Sequence, residues 1–542
     1  MTQKLAATAA LALACLSASA AHGAPTAQHV LMLSFDGMHA QDLARCIDRA
    51  TCPNLAALAA HGLQYRHAST PGLSDSVPGL AALVTGGSPR STGLFYDDIY
   101  DRSLYAGSDV DCRGPRSVEV LLTEVVGIDA RDGGKLVHLD GGGAFNPQQI
   151  PRRKVGADCV PVYPHDFIDT NTLFEVVKQH LASARTAWAD KHAWGTDWLN
   201  GPSGHGVDDL ARTEINSIDP ASGHDYTESA DGKAPAWRHT EVFDDLHLRA
   251  ILNEIAGRDS GGAQAAPVPS VFGADFQTLA VAQKAPHAAG GGYTDAAYTP
   301  GVDVAGAIAY LDDAVGRITA ELARRELAAT TLVIVTAKHG QAPVDPARLR
   351  KVGHAVTRVL APFLGKGRDP ASGNDLGSGH VIDDDVAFVW LRDPGRHAAA
   401  AAALRAAGAC PAIDARTHLA PPRNALVCID GGGTVTDLWR ATQRFGNPAD
   451  GRRPDLMVQP APGVIYTRSA GKDMEHGGYA ADDGHVALLV SLPSFAQREI
   501  DAPVLTTQVA PTIVRALGLD PRGLDAVRKE GTPVLPLVFA GP

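Results

Sequence analysis

The chain has 542 residues, 45 % of them hydrophobic, and a formal net charge of −12. That length can bury a large core and more than one structural unit. The negative balance excludes a broad nucleic-acid or anionic-lipid surface, so an anionic substrate would need positive charge gathered in one site.

The first twenty residues read as a signal peptide. Lys4 precedes a run of apolar and small residues, and Ala18-Ser19-Ala20 fits a cleavage site. The run is short and rich in Ala and Ser, so no stable membrane anchor is expected. The mature chain, 21–542, is expected to be secreted or periplasmic. Six cysteines remain in it, and an even count in an exported chain predicts disulfides. Proximity pairs Cys46 with Cys52, Cys112 with Cys159 and Cys410 with Cys428; buried free thiols are the alternative. No CxxC pair offers a thiolate metal site.

HVLMLSFDG (29–37) is an apolar run closed by Asp36-Gly37, which predicts a buried strand. SDSVPGLAALVTGG (74–87) predicts a helix opening at Ser76, with Pro78 in its first turn. Residues from about 103 to 270 are polar, glycine-rich and weakly periodic, and predict an insertion or cap over the strand ends. Over 304–322, Ile308, Leu311, Val315, Ile318 and Leu322 share one helical face. That helix leads into the strand TLVIVT (331–336). VAFVWL (386–391) and HVALLVSLP (485–493) are further strands, HAAAAAALRAAGAC (397–410) contains a short helix, and TTQVAPTIVRALGLDP reads as a helix ending near Gly518. Strands alternating with helices predict an α/β fold with a mostly parallel sheet covered on both faces.

Four segments carry chemistry. Asp36 at a strand end is either a hard-metal ligand or the cap of the next helix. Ser76 at a helix start is either an N-cap or a nucleophile, because free helix-start N–H groups stabilise an anion. Ser74 is a second candidate, farther from the helix start. Lys338 and His339 follow TLVIVT, where α/β proteins place their chemistry. His476 sits in the glycine-flanked loop EHGGY, as a ligand or a structural histidine. An acid, a hydroxyl and two histidines are the parts of a metal-assisted hydrolase.

SFDG, SVPGLAALVTGGSPRSTGLFYDD, YLDDAVGRI, TTLVIVTAKHG and EHGGY, in that order, resemble the alkaline phosphatase superfamily. The branch they resemble is the type I phosphodiesterase/nucleotide pyrophosphatase group. The resemblance implies a three-layer sandwich and hydrolysis of a small-molecule phosphodiester or pyrophosphate. It makes Ser76 the nucleophile, and Asp36, Ser76, His339 and His476 metal ligands. It puts Asp97 where the branch has an asparagine on the phosphoryl oxygen, with Asp97 or Asp98 a replacement ligand. Lys338 stands where the family has an aspartate ligand. The family's Asp-x-x-x-His falls at Leu279 and Gln283, so three of six ligand positions are altered. At most one divalent cation, zinc foremost, is then expected, with Lys338 supplying fixed positive charge at the substrate or at Ser76. Lys191 and His192 are either pocket contacts or structural. The alternatives are a phosphomonoesterase, a binding protein on a decayed scaffold, and a sulfatase. A sulfatase signal would need an arginine where Leu80 stands.

Overall fold

The computed structural model describes residues 27–539, apart from 123–130, 133–134, 137–146, 148–149, 220, 228–234, 371–372, 411–425, 442–444 and 448. The signal peptide expected at 1–20 lies outside the described residues. Eight strands make the main sheet: β1 (His29–Phe35), β2 (Gly62–Tyr65), β3 (Ala187–Asp190), β4 (Asp209–Arg212), β5 (Val271–Phe276), β6 (Thr331–Thr336), β7 (Leu488–Ser491) and β8 (Arg498–Ile500). Their order is β4-β3-β5-β1-β6-β7-β2-β8. Only β7 runs antiparallel to its neighbours, so the sheet is mostly parallel, as expected.

The central strands are apolar along their whole length because both faces are covered. Val30 and Met32 of β1 share a core with Leu83 of α1 (Ser76–Thr85), Val177 of α2 (Leu173–His180) and Ile513 of α5 (Val509–Ala516). Leu31 and Leu33 point to the opposite core, with Ile251 of α3 (Ala236–Ile255) and Leu311 of α4 (Val302–Arg324). Helices, sheet and helices form the three layers of an α/β sandwich. Among the described residues, no helix is long and apolar enough to cross a membrane.

One expectation needs correction. The stretch from about 103 to 270 is not simply a cap: it supplies β3 and β4 to the main sheet and α3 to one face. Its polar composition hid strands only four residues long. The strand expected at 386–391 is present, and it stands apart from the main sheet. Ala387–Trp390 lies in a separate antiparallel sheet with His380–Asp383, Leu456–Gln459 and Thr434–Asp437. Helices Ala355–Leu364 and His397–Ala406 pack there around a core of their own. The three expected disulfides, Cys46–Cys52, Cys112–Cys159 and Cys410–Cys428, are all formed.

Ile334 lies on β6 with no exposed surface. Ile334→Ala should destabilise the protein by about 2–5 kcal/mol in urea unfolding, through lost burial and the cavity left behind.

Candidate active site

Four neighbouring strands end at one edge of the sheet, and their registers bring four charged residues together. Ser34 of β1 pairs with both Asp275 of β5 and Thr336 of β6, and Ala189 of β3 pairs with Ala274 of β5. Lys191 therefore follows β3, Asp275 lies near the end of β5, Asp36 follows β1, and Lys338 lies two residues past β6. Carboxyl ends of parallel strands are where open α/β sheets bind their ligands.

Asp36 is the hub of the cluster. Its Oδ2 lies 3.2 Å from Lys191 Nζ and 3.3 Å from Lys338 Nζ. The Gln277 side-chain amide donates to the same oxygen at 2.7 Å. Its Oδ1 lies 3.0 Å from His339 Nε2. Burial alone would raise the pKa of Asp36, but His339, Lys338 and Lys191 outweigh it and hold the carboxyl well below the usual carboxylate range. Asp36 does not cap the next helix, whose N-cap is His39.

Lys338 donates to Asp275 Oδ2 at 2.8 Å and is 1 % exposed. Burial would lower its pKa, yet Asp275 and then Asp36 push it up, so it stays an ammonium. Burial and Asp36 push Asp275 upward, and Lys338 is the nearest cation opposing them. Lys338 is absent from the cavity wall. Its ammonium contacts Asp275 and Asp36, whereas the sequence reading put its charge at the substrate or at Ser76.

Ser76 is reached by another lysine. Its Oγ lies 2.8 Å from Lys191 Nζ and 3.3 Å from His339 Nε2. The capping role weighed for Ser76 belongs to Asp75, whose carboxylate accepts from the Val77 N–H at 3.2 Å. That leaves the serine hydroxyl for the cavity. Ser74 is drawn off to Thr70 Oγ1 at 2.8 Å. The helix can start here because residue 79 is glycine: a Cβ there would lie 2.3 Å from the Lys338 carbonyl oxygen. The close approach seats Ser76 beside His339.

His339 is fully buried, and burial lowers its pKa to about 3; Asp36 opposes this, and the nearby lysines add to it. Its Nδ1 lies 2.8 Å from the Gly340 carbonyl and so carries the proton of the neutral ring, leaving a lone pair on Nε2. The rings of His339 and His476 are 4.0 Å apart, and His476 Nδ1 is 3.6 Å from Asp75 Oδ1. The His476 loop is pinned by paired backbone hydrogen bonds between Glu475 and Ala342. Burial lowers the pKa of His476 well below the usual histidine value.

These donors fit one divalent cation. Asp36 Oδ1 is buried and receives no hydrogen bond, and it faces the lone pair of His339 Nε2 with Ser76 Oγ alongside. Asp98 and Glu119 on the cavity wall and His380 bring ligand atoms within 4.8 Å of one another, while at the position the resemblance gives to a second cation the side chains differ. Leu279 lies in the hydrophobic core, and the Lys338 ammonium already bridges Asp275 and Asp36. Gln283 holds a turn, donating to the Gly37 carbonyl at 2.8 Å. Asp275 lies four residues before Leu279, the spacing of an Asp-x-x-x-His motif with leucine in the last place. FGADF (272–276) carried the signal that identified Asp36, an apolar run closed by an aspartate, and so did TAWADK for Lys191.

The cluster opens into a cavity of about 1010 Å³ whose wall includes Asp36, Ser76, Asp97, Lys191, His339 and His476. His192 reaches the same wall, but its Nδ1 is engaged by Glu214 Oε1 at 3.0 Å. Asp97 helps push the Asp75 carboxyl well above the usual range, second to burial, so this wall is rich in acid.

Lys338→Met leaves Asp275 and Asp36 short of a buried counter-ion. It should cost about 3–5 kcal/mol in denaturant unfolding. The double variant Lys338→Met/Asp275→Asn should recover part of that loss.

No curated protein sequence matches the chain. Among solved structures it is similar to murine ectonucleotide pyrophosphatase/phosphodiesterase 5, at 14 % identity and a TM-score of 0.51, over 91 % of this chain and 96 % of that one. An inactive variant of the murine protein in complex with AMP matches with the same figures. At that identity the likeness establishes the fold, the alkaline phosphatase-like sandwich. The type I phosphodiesterase/nucleotide pyrophosphatase family model matches residues 30–484. The chain therefore belongs to the type I phosphodiesterase/nucleotide pyrophosphatase family, hydrolases of phosphoric ester and anhydride bonds.

Proposed function

We propose that this protein is an exported hydrolase that cleaves a small-molecule phosphodiester or pyrophosphate through Ser76. The observation that carries the reading is the Ser76 hydroxyl on the cavity wall, at a helix start, uncommitted to capping and within reach of a lysine ammonium and an imidazole. Three disulfides suit an oxidising compartment. The AMP bound to the murine neighbour is in keeping with a nucleotide-like substrate.

Asp36, Ser76 and His339 would hold one divalent cation, zinc foremost, with His476 packed against His339 as the fourth candidate. When bound, such a cation lowers the pKa of a coordinated hydroxyl and offsets phosphoryl charge. The chain's own groups do the rest. The start of α1 directs backbone N–H groups toward an incoming oxyanion. Ser76 attacks phosphorus, the bond to the leaving oxygen breaks, and water then resolves the serine-linked phosphate ester that remains. Lys338 and Gln277 fix the Asp36 carboxylate. Asp97 lies on the substrate side of the cavity, where its charge disfavours dianionic phosphomonoesters relative to monoanionic diesters.

Purified protein should hydrolyse a p-nitrophenyl phosphodiester faster than p-nitrophenyl phosphate or p-nitrophenyl sulfate. Rapid acid quench should trap the remaining phosphate ester on Ser76, seen as its mass added to that residue by mass spectrometry. Ser76→Ala should lower kcat about 1,000-fold or more. A variant as active as the wild type would remove the nucleophile assignment.

A further inference from the structure

Among the described residues, Lys191 is the lysine that both contacts Ser76 and lines the cavity. Its Nζ lies 2.8 Å from Ser76 Oγ and 3.2 Å from Asp36 Oδ2, and it lines the cavity wall. Its backbone is fixed at the end of β3. The Lys191 N–H donates to Asp190 Oδ1 at 2.8 Å, and the Ile215 N–H donates to the Lys191 carbonyl at 2.8 Å. Asp190 is itself held by the Trp188 indole N–H at 2.9 Å. The ammonium is therefore built into the site and does not sweep the surface.

An ammonium has three N–H donors. Asp36 and Ser76 take two of those on Lys191, which leaves a third on a residue that lines the cavity. Lys338 differs. It is 1 % exposed, is bound to Asp275 and Asp36, and does not line the cavity. The two lysines flank the same Asp36 oxygen from opposite sides of the sheet edge, one facing inward and one facing the substrate. With Lys338 and Leu279 standing at ligand positions, charge at this edge comes from the lysines.

We propose that Lys191 is a catalytic residue that supplies, as an ammonium, the positive charge a second metal would bring to the nucleophile and the phosphoryl group. This rests on the reading of Ser76 as the nucleophile. Ser76 Oγ gives up its proton to water in the cavity, and its oxygen bonds to phosphorus. The bond from phosphorus to the leaving oxygen breaks, and that oxygen takes a proton from water. Lys191 steadies the negative charge on Oγ before attack and meets a non-bridging phosphoryl oxygen through its third N–H as the charge moves outward. A lysine is a compact point charge, able to follow that short transfer without changing partners on Asp36.

The test compares the full-length matured protein with Lys191→Met, Lys191→Arg and Ser76→Ala on a p-nitrophenyl phosphodiester, with melting temperature and metal content measured on each. Lys191→Met should lower kcat about 100-fold or more, the scale of losing one preorganised charge donor, with a much smaller change in KM. Its metal content should stay that of the wild type, and orthovanadate should bind it more weakly by calorimetry. Lys191→Arg should recover part of the rate. In Lys191→Cys, alkylation with bromoethylamine rebuilds a lysine-like ammonium and should restore turnover; the native cysteines of the described chain are paired in disulfides. That rescue answers the question even if Lys191→Met folds poorly. An inactive Ser76→Ala beside a Lys191→Met that keeps kcat within about threefold overturns the role of Lys191 and leaves the nucleophile standing. A Lys191→Met that loses rate only in proportion to lost metal also overturns it. A fully active Ser76→Ala overturns the reading beneath it.

Discussion

A carboxylate buried at the end of a central strand must be surrounded by donors or it will not stay charged. Asp36 meets that condition with Lys191, Lys338 and Gln277 at Oδ2, and His339 lies beside its Oδ1; the four come from three segments distant in sequence. The parallel register of β3, β5, β1 and β6 brings three of the four to the same edge, and the turn past β5 brings Gln277. The site is thus a consequence of the sheet. Any slip of one strand against its neighbour would separate a cation from this carboxylate and leave both buried and unpaired.

The second constraint is the closeness of α1 to the turn after β6. Gly79 permits the helix to press on the Lys338 carbonyl, and Asp75 caps it. Together they leave a serine hydroxyl facing the cavity rather than buried in its own helix start. Fixed backbone N–H groups and a fixed ammonium then converge where an anion would bind. Positive charge of this kind acts without reorganising when the reaction occurs, which is why preorganised donors are worth more in a closed site than in water. The two changed ligand positions, Lys338 and Leu279, fit this picture. Each removes a donor that a second cation would need, and one of them returns a positive charge to the same place.

Much of this was legible in the residues. The runs ending in Asp36 and in Lys338 announced strands with chemistry at their ends, and the helical faces of 304–322 and around Ile513 read directly. Cysteine proximity gave the three pairings. What stayed hidden has physical reasons. β3 and β4 are four residues each, too short to show a period, so the stretch around them read as a cap. The strand at Ala387 is as apolar as those of the main sheet, and nothing local tells a strand which sheet it will join. Lys191 was weighed as a pocket contact, but Asp275 was not singled out, and only the β3–β5–β1 register makes the two neighbours of Asp36.

The central claim is that phosphorus is attacked by Ser76 within a cluster of cations centred on Asp36. A crystal structure of the protein soaked with orthovanadate tests it most directly. The claim predicts vanadium bonded to Ser76 Oγ, with an equatorial oxygen against Lys191 Nζ and none against Lys338. Vanadate bound elsewhere in the cavity, with Ser76 Oγ out of bonding distance, would contradict it.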